Sequence, residues 1–247
     1  MKVAWLTHHL PGENNASWAL PGNFAGGAEM CDTAMIEQKP DGIEVDLLPP
    51  DKWEQALSYD RLVITGTDQL TDKALLALSE VKPLVWVHHA QAQTADRAVL
   101  FQRADPFVCM SALHAELEGK WTGTSPQWNH GFINPRGIHP GPKDDHALWA
   151  ARNHPQKGLM QARIWALNND IPLVELTNQP RENVLDAMSV ARWFVFLPKG
   201  FDACPRTLIE AELAGCEIVT NGLAGRRDPG DIREVLQRQI NKFWNWL

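Results

Sequence analysis

The chain has 247 residues, of which 44% are hydrophobic, with 30 acidic and 23 basic side chains and a formal net charge of −7. Such an apolar content suffices for real cores, which excludes a disordered protein, and the length suits one large domain or two small ones. The acidic balance argues against broad, sequence-independent binding to nucleic acid while leaving room for a local basic groove.

No run of eighteen apolar residues occurs, and Met1 to His9 reads as a short strand rather than a secretory signal, so a cytoplasmic location is expected. Cys31, Cys109, Cys204 and Cys216 lie far apart without CxxC spacing. Buried thiols are expected, not a zinc knot or a disulfide framework. Eleven tryptophans stand against one tyrosine. Core positions are expected for most of them, and stacking on sugars or bases is a use open to exposed ones.

In chain order, Lys2–Thr7 is an apolar run, followed by a long Pro/Gly/Asn loop and a helical stretch from Gly26-Gly27-Ala28-Glu29 to about Gln38. Further strands are expected at Ile43–Leu48, Arg61–Thr65, Leu84–Val87 and Pro106–Met110, with helices such as Asp72–Ser79 and Ala112–Gly119 between them. Strands alternating with helices imply a parallel sheet with crossover helices. From Trp121 to Lys143 the composition turns to Pro, Gly, Asn and His, as at a domain junction.

A second alternating set follows: strands at Ala147–Ala151, Pro172–Thr177, Trp193–Leu197 and Glu217–Thr220, with helices at Leu159–Asn168, Arg181–Val190 and Pro205–Ala214. A terminal helix, 231–246, carries Ile232, Val235, Leu236, Ile240 and Phe243 at helical spacing. The expected organisation is α/β, with doubly wound domains at 1–140 and 141–247, the second including the terminal helix. Their strand C-termini would face one another across a cleft, where ligands of such sheets bind.

The segment Leu197–Thr220 carries the most chemistry. Pro205 suits a first helical position because it has no N–H to lose, and Gly215 stands where a helix ends with positive φ. The N–H groups of Arg206, Thr207 and Leu208, with the positive end of the helix dipole, suit a phosphate. Arg206 is electrostatically unfavourable at that end unless an anion compensates it. Glu210 lies too deep to cap the helix, and a carboxylate there can accept from a vicinal diol such as a ribose. An amphipathic helix with a solvated glutamate and a chance loop acid at Asp202 is the alternative on these residues alone.

Asp202 and Glu210, with seven residues between them, resemble the donor-binding motif of retaining GT-B glycosyltransferases of the family 4, or group 1, type. The family usually has Glu where Asp202 stands. Gly26-Gly27-Ala28-Glu29 resembles its GGAE loop, Ala104–Ser111 its "AD-x-V-x-x-S" strand, Asn129-His130-Gly131 its NG turn, and Arg152–Gly158 its "R…KG" signature. The resemblance implies the GT-B fold of two Rossmann-like domains, and a chain short for that fold. It implies a nucleotide-diphosphate sugar, a UDP-sugar foremost, with Arg152 and Lys157 on the pyrophosphate, Glu210 on the ribose and Asp202 on the sugar hydroxyls. His88 and His89 follow a strand where the family commonly has a histidine touching donor sugar or acceptor. Gly26 and Gly27 would allow close backbone approach to the ligand.

There is no DxD motif, so fixed cations and the helix dipole are expected to stabilise the departing phosphate, with no metal and no further cofactor. The reading is a metal-independent retaining hexosyltransferase whose acceptor is a glycan, a lipid, a protein or a modified DNA base. A nucleotide-sugar 2-epimerase of the same fold and a non-catalytic nucleotide- or carbohydrate-binding module are the rivals. Lys199, just before the acid loop, is a further candidate for phosphate or an acidic sugar.

Overall fold

The computed structural model of the chain describes residues 1–7, 27–89, 93–131, 133–135, 137–225 and 229–247, with backbone alone at 27–29. Gly26 lies outside the described residues. The chain divides into two compact units, one ending before Ile133 and resuming at Leu236–Leu247, the other running through Ile133–Val235.

The first unit contains β1 (Lys2–Leu6), α1 (Gly27–Glu37), β2 (Glu44–Leu48), α2 (Trp53–Ala56), β3 (Arg61–Ile64), α3 (Asp72–Ser79), β4 (Leu84–Val87), α4 (Ala95–Arg103), β5 (Phe107–Cys109), α5 (Ala112–Thr122) and β6 (Gln127–Trp128). The six strands among its described residues are all parallel in the order β2-β1-β3-β4-β5-β6. Successive side chains alternate between the faces of a strand, which sorts the apolar residues into two layers. Ala4, Leu6, Leu62, Ile64, Val85 and Val87 pack with Leu75 and Leu78 of α3 and Phe101 of α4. The buried indoles Trp5 and Trp86 belong to the intervening positions, with ring centroids 6.3 Å apart.

The second unit holds β7 (Asp144–Ala151), α6 (Leu159–Asn168), β8 (Leu173–Thr177), α7 (Arg181–Val190), β9 (Ala191–Phe196), α8 (Arg206–Leu213) and β10 (Glu217–Thr220). Its sheet is parallel in the order β10-β9-β7-β8. Ala147, Leu148, Trp149 and Ala150 of β7 are all buried, the unbroken apolar run of a strand covered on both faces. Lys143 binds the unit's helix ends together: its Nζ donates to the carbonyls of Met188 and Ser189 at 3.0 Å and to that of Ala214 at 2.7 Å.

The last helix, α9 (Ile232–Trp244), differs from the expectation that it completes the second domain. From Leu236 onward it groups with the first unit. Phe243 stacks on Trp5 at 5.4 Å and lies 5.0 Å from Trp86, while Asn129 Nδ2 donates to the Gln239 carbonyl at 2.9 Å. Its apolar stripe covers the indole layer of the first sheet, a destination that helical periodicity cannot specify. The elements the sequence pattern passes over are the short or polar ones, α2, α4 and β6. Among the described residues no helix is long and apolar enough to cross a membrane.

Candidate functional site

In the second unit the loops after β7, β9 and β10 come together at the carboxyl ends of the strands, where ligands of parallel sheets bind. The loop after β7 carries Arg152 and a 3-10 turn, Pro155–Lys157, started by His154, whose Nδ1 accepts from the Gln156 N–H at 3.3 Å. The Trp149 indole N–H donates to the Lys157 carbonyl at 3.1 Å and ties the loop to its own strand. Gly158 closes the turn at φ +76°, and a Cβ there would stand 1.9 Å from the Leu197 carbonyl oxygen. Only glycine allows the two loops to meet so closely.

Asp202 sits in the loop after β9. Its backbone forms a parallel bridge with Ala224, giving its N–H to Leu223 and accepting from the Gly225 N–H at 2.7 Å. With the backbone pinned, the side chain takes up Lys157, whose Nζ donates to Oδ2 at 2.6 Å. The Lys157 ammonium also lies 5.8 Å from the centre of the Phe196 ring. Arg152, His154, Gln156 and Lys157 on one side and Gly200, Phe201 and Asp202 on the other line an open pocket of about 310 Å³. The Arg152 side chain is exposed. The structure thus gathers Arg152, Lys157 and Asp202, and adds His154 and Gln156, which the sequence did not single out. Lys199 is exposed, and its backbone N–H is bound to the Gln156 carbonyl.

Helix α8 follows the acid loop. Pro205 is its N-cap, one position earlier than expected, and the Leu208 N–H donates to the Pro205 carbonyl at 3.0 Å. That donor is therefore used within the first turn, where an i→i+3 bond tightens the helix end. It corrects the expectation of a free N–H at Leu208, whereas those of Arg206 and Thr207 bind no backbone carbonyl among the described residues. Gly215 adopts φ +81°, with Gly215 N–H donating to Glu212 and Cys216 N–H to Ala211, the paired bonds of a glycine-terminated helix.

Glu210 is buried, 4% exposed, and is not the solvated carboxylate of the alternative reading. Its Oε1 receives Arg181 Nε and Arg206 Nη2, each at 2.9 Å. Arg206 is one turn N-terminal on the same helix, so the i,i+4 spacing was legible; Arg181 comes from the start of α7 and was not. A carboxylate this deep needs such partners, since an unpaired buried charge is strongly destabilising. Nε and Nη1 of Arg206 are themselves buried without a hydrogen-bond partner among the described residues.

The two adjacent histidines lie in the first unit and point apart, as neighbours at a strand end must. The His89 ring is half exposed and lies 2.7 Å from Asp68. The His88 side chain is 4% exposed, with Nε2 at 3.0 Å from Oδ1 of Asp32, a residue the sequence reading did not single out. Gly27 is the first residue of α1.

No family model matches the sequence, and no curated protein matches it. Solved structures do share its fold. AviGT4, a glycosyltransferase involved in avilamycin A biosynthesis, aligns with a TM-score of 0.60 at 13% identity over 98% of this chain and 93% of that one. HepE of Anabaena in complex with UDP and glucose gives 0.59 at 13% identity, covering 98% and 90%. An alpha-glucosyltransferase in complex with UDP and a 13-mer DNA containing a HMU base gives 0.52 at 12% identity, covering 100% and 92%. The fold is accordingly α/β of the GT-B kind, with two Rossmann-like domains.

Proposed function

We propose that this protein is a glycosyltransferase that takes a hexose from a nucleoside-diphosphate sugar, UDP-sugars foremost, and delivers it to a hydroxyl acceptor without a metal ion and with retention at the anomeric carbon. The observation that carries the reading is the Lys157–Asp202 pair at 2.6 Å beside Arg152, in a pocket at the carboxyl ends of a parallel sheet. The residues suit the chemistry. Sugar transfer from a nucleoside diphosphate builds negative charge on the departing phosphate, and preorganised cations stabilise it without reorganising. Arg152 and Lys157 are the cations for that oxygen charge, with the α8 N-terminus adding its dipole. Asp202, held by backbone and ammonium, accepts from sugar hydroxyls. Glu210, oriented by Arg181 and Arg206, accepts from the ribose diol, and His88 meets the donor sugar or the acceptor. The structures of this fold in complex with UDP, HepE and the alpha-glucosyltransferase, support the choice of nucleotide. The acceptor belongs to a broad class: a glycan, a lipid, a protein or a modified DNA base.

Isothermal titration with UDP, GDP and ADP, followed by assay with the sugar of the nucleotide that binds, tests the reading. UDP is expected to bind, and Arg152→Ala and Lys157→Ala are each expected to weaken it about 10- to 100-fold, the worth of a charge-assisted hydrogen bond. Proton NMR of the product reads the anomeric configuration, and full activity in excess chelator reads metal independence. Absence of binding to all three nucleotides rejects the donor site; release of an epimer or glycal without acceptor rejects transfer in favour of epimerisation.

A further inference from the structure

We propose that Asp32 is a positioning residue for His88, holding its ring as the Nε2–H tautomer so that Nδ1 is an acceptor toward a substrate hydroxyl. The proposal rests on the reading of His88 as the residue that meets sugar or acceptor.

Strand alternation assembles the group. Thr7, Thr65 and His88 each lie two residues beyond a residue of the inner sheet face (Trp5, Val63 and Trp86) on the adjacent strands β1, β3 and β4. All three side chains therefore emerge on one face, just past the carboxyl ends of the strands. Asp32 of α1 meets them there, 2% exposed. Its Oδ2 accepts from Thr7 Oγ1 at 3.1 Å and from Thr65 Oγ1 at 2.8 Å. The two hydroxyls fix the carboxylate, and the remaining oxygen, Oδ1, stands 3.0 Å from His88 Nε2. The Trp86 ring, 4.5 Å away between centroids, supports the imidazole.

A carboxylate accepts only, so it selects the tautomer with the proton on the nitrogen that faces it. The 3.0 Å separation is right for that bond although its angle falls short of alignment, since neither ring nitrogen has an aligned partner among the described residues. Hydrogen bonds at reactive sites commonly tighten when substrate binds. Nδ1 is then a buried acceptor without a donor among the described residues, and leaving such an atom unsatisfied is costly. A sugar or acceptor hydroxyl donating to Nδ1 removes that cost. No bond is made or broken at the ring.

The test uses the full chain labelled with 15N-histidine, with the His88 signals assigned by their loss in His88→Gln. Two-bond proton–nitrogen correlation at a pH where the ring is neutral reads the tautomer directly. Nε2–H is expected in the wild type, and Asp32→Asn, which can present an amide donor instead, is expected to shift the ring toward Nδ1–H with circular dichroism unchanged. An Nδ1–H wild type, or a tautomer unmoved in folded Asp32→Asn, overturns the proposal. Should Asp32→Asn not fold, the wild-type spectrum still decides, and Thr65→Val supplies a milder loosening of the carboxylate, expected to give a mixed tautomer. In the transfer assay Asp32→Asn is expected to lower kcat/KM roughly 10- to 100-fold and to add nothing in a His88→Gln background; losses that multiply would mean that Asp32 acts independently of His88 and overturn the proposal. If no sugar is transferred by any form, the proposed function fails while the tautomer measurement still decides this one.

Discussion

At the scale of single residues, the candidate site depends on one glycine as much as on its charged groups. The Cβ that any other residue would bring to position 158 would lie 1.9 Å from the Leu197 carbonyl oxygen, at a φ of +76°. Gly158→Ala must therefore separate the loop bearing Lys157 from the loop bearing Asp202, or unfold their strands. A loss of about 3 kcal/mol or more is expected in urea unfolding, with nucleotide binding weakened in whatever remains folded. The cysteines make a second prediction at this scale. Burial, with Glu118 nearby, pushes the Cys109 thiol well above its usual range, and burial raises Cys216 against the opposing pull of Lys143. Since the thiolate is the reactive form, iodoacetamide at about pH 8 should leave both unmodified in the native protein and label both in concentrated urea. The expectation of buried thiols from spacing holds for Cys31, Cys109 and Cys216, while Cys204, beside the acid loop, is only half buried.

At the scale of elements, α8 shows how local signals and remote partners divide the work. Proline before the helix, glycine after it and the 202/210 spacing are all readable in order, because caps and turns are decided within a few residues. What Glu210 touches is not: Arg181 arrives from another helix, and its guanidinium shares Oε1 with Arg206. Helix α9 is the same lesson on a larger scale. Its periodicity gave a helix, and its apolar stripe went to the first sheet rather than the second. Phe243 is fully buried between Trp5, Trp86 and Trp244. Phe243→Ala should cost about 3–5 kcal/mol in denaturant unfolding, accompanied by a change in tryptophan emission, because it opens a cavity against these three indoles. A loss below about 1 kcal/mol would mean that the helix does not dock as described.

At the scale of the molecule, the residues proposed to hold the donor nucleotide come from the second unit, whereas His88 and Asp32 belong to the first. Hydrogen exchange with and without saturating UDP should show protection concentrated in 152–158 and 200–210. At a nucleotide concentration about 100 times Kd the folded state gains about 2.7 kcal/mol, enough to see in thermal unfolding. Protection confined to the first unit would contradict the site. The net charge of −7 bears on the acceptor: unmodified duplex DNA should not be retained at physiological salt, because non-specific affinity comes from cations replacing counterions on phosphates. Retention in a filter-binding assay under those conditions would show a basic surface that overall charge conceals.

Alternation of apolar strands with amphipathic helices and the run of glycine and proline signals determined the two parallel sheets, and the motif spacings singled out Arg152, Lys157, Asp202 and Glu210 without saying which of them meet. These are short-range properties: backbone conformation and face are set by neighbours in sequence. Only the tertiary structure decided which of two adjacent histidines is buried, that Asp32 lies beside it, that Arg181 joins Glu210, and that α9 returns to the first sheet. Each of those depends on which surfaces pack together, and residues distant in sequence meet only when the strands have their order and the helices their faces.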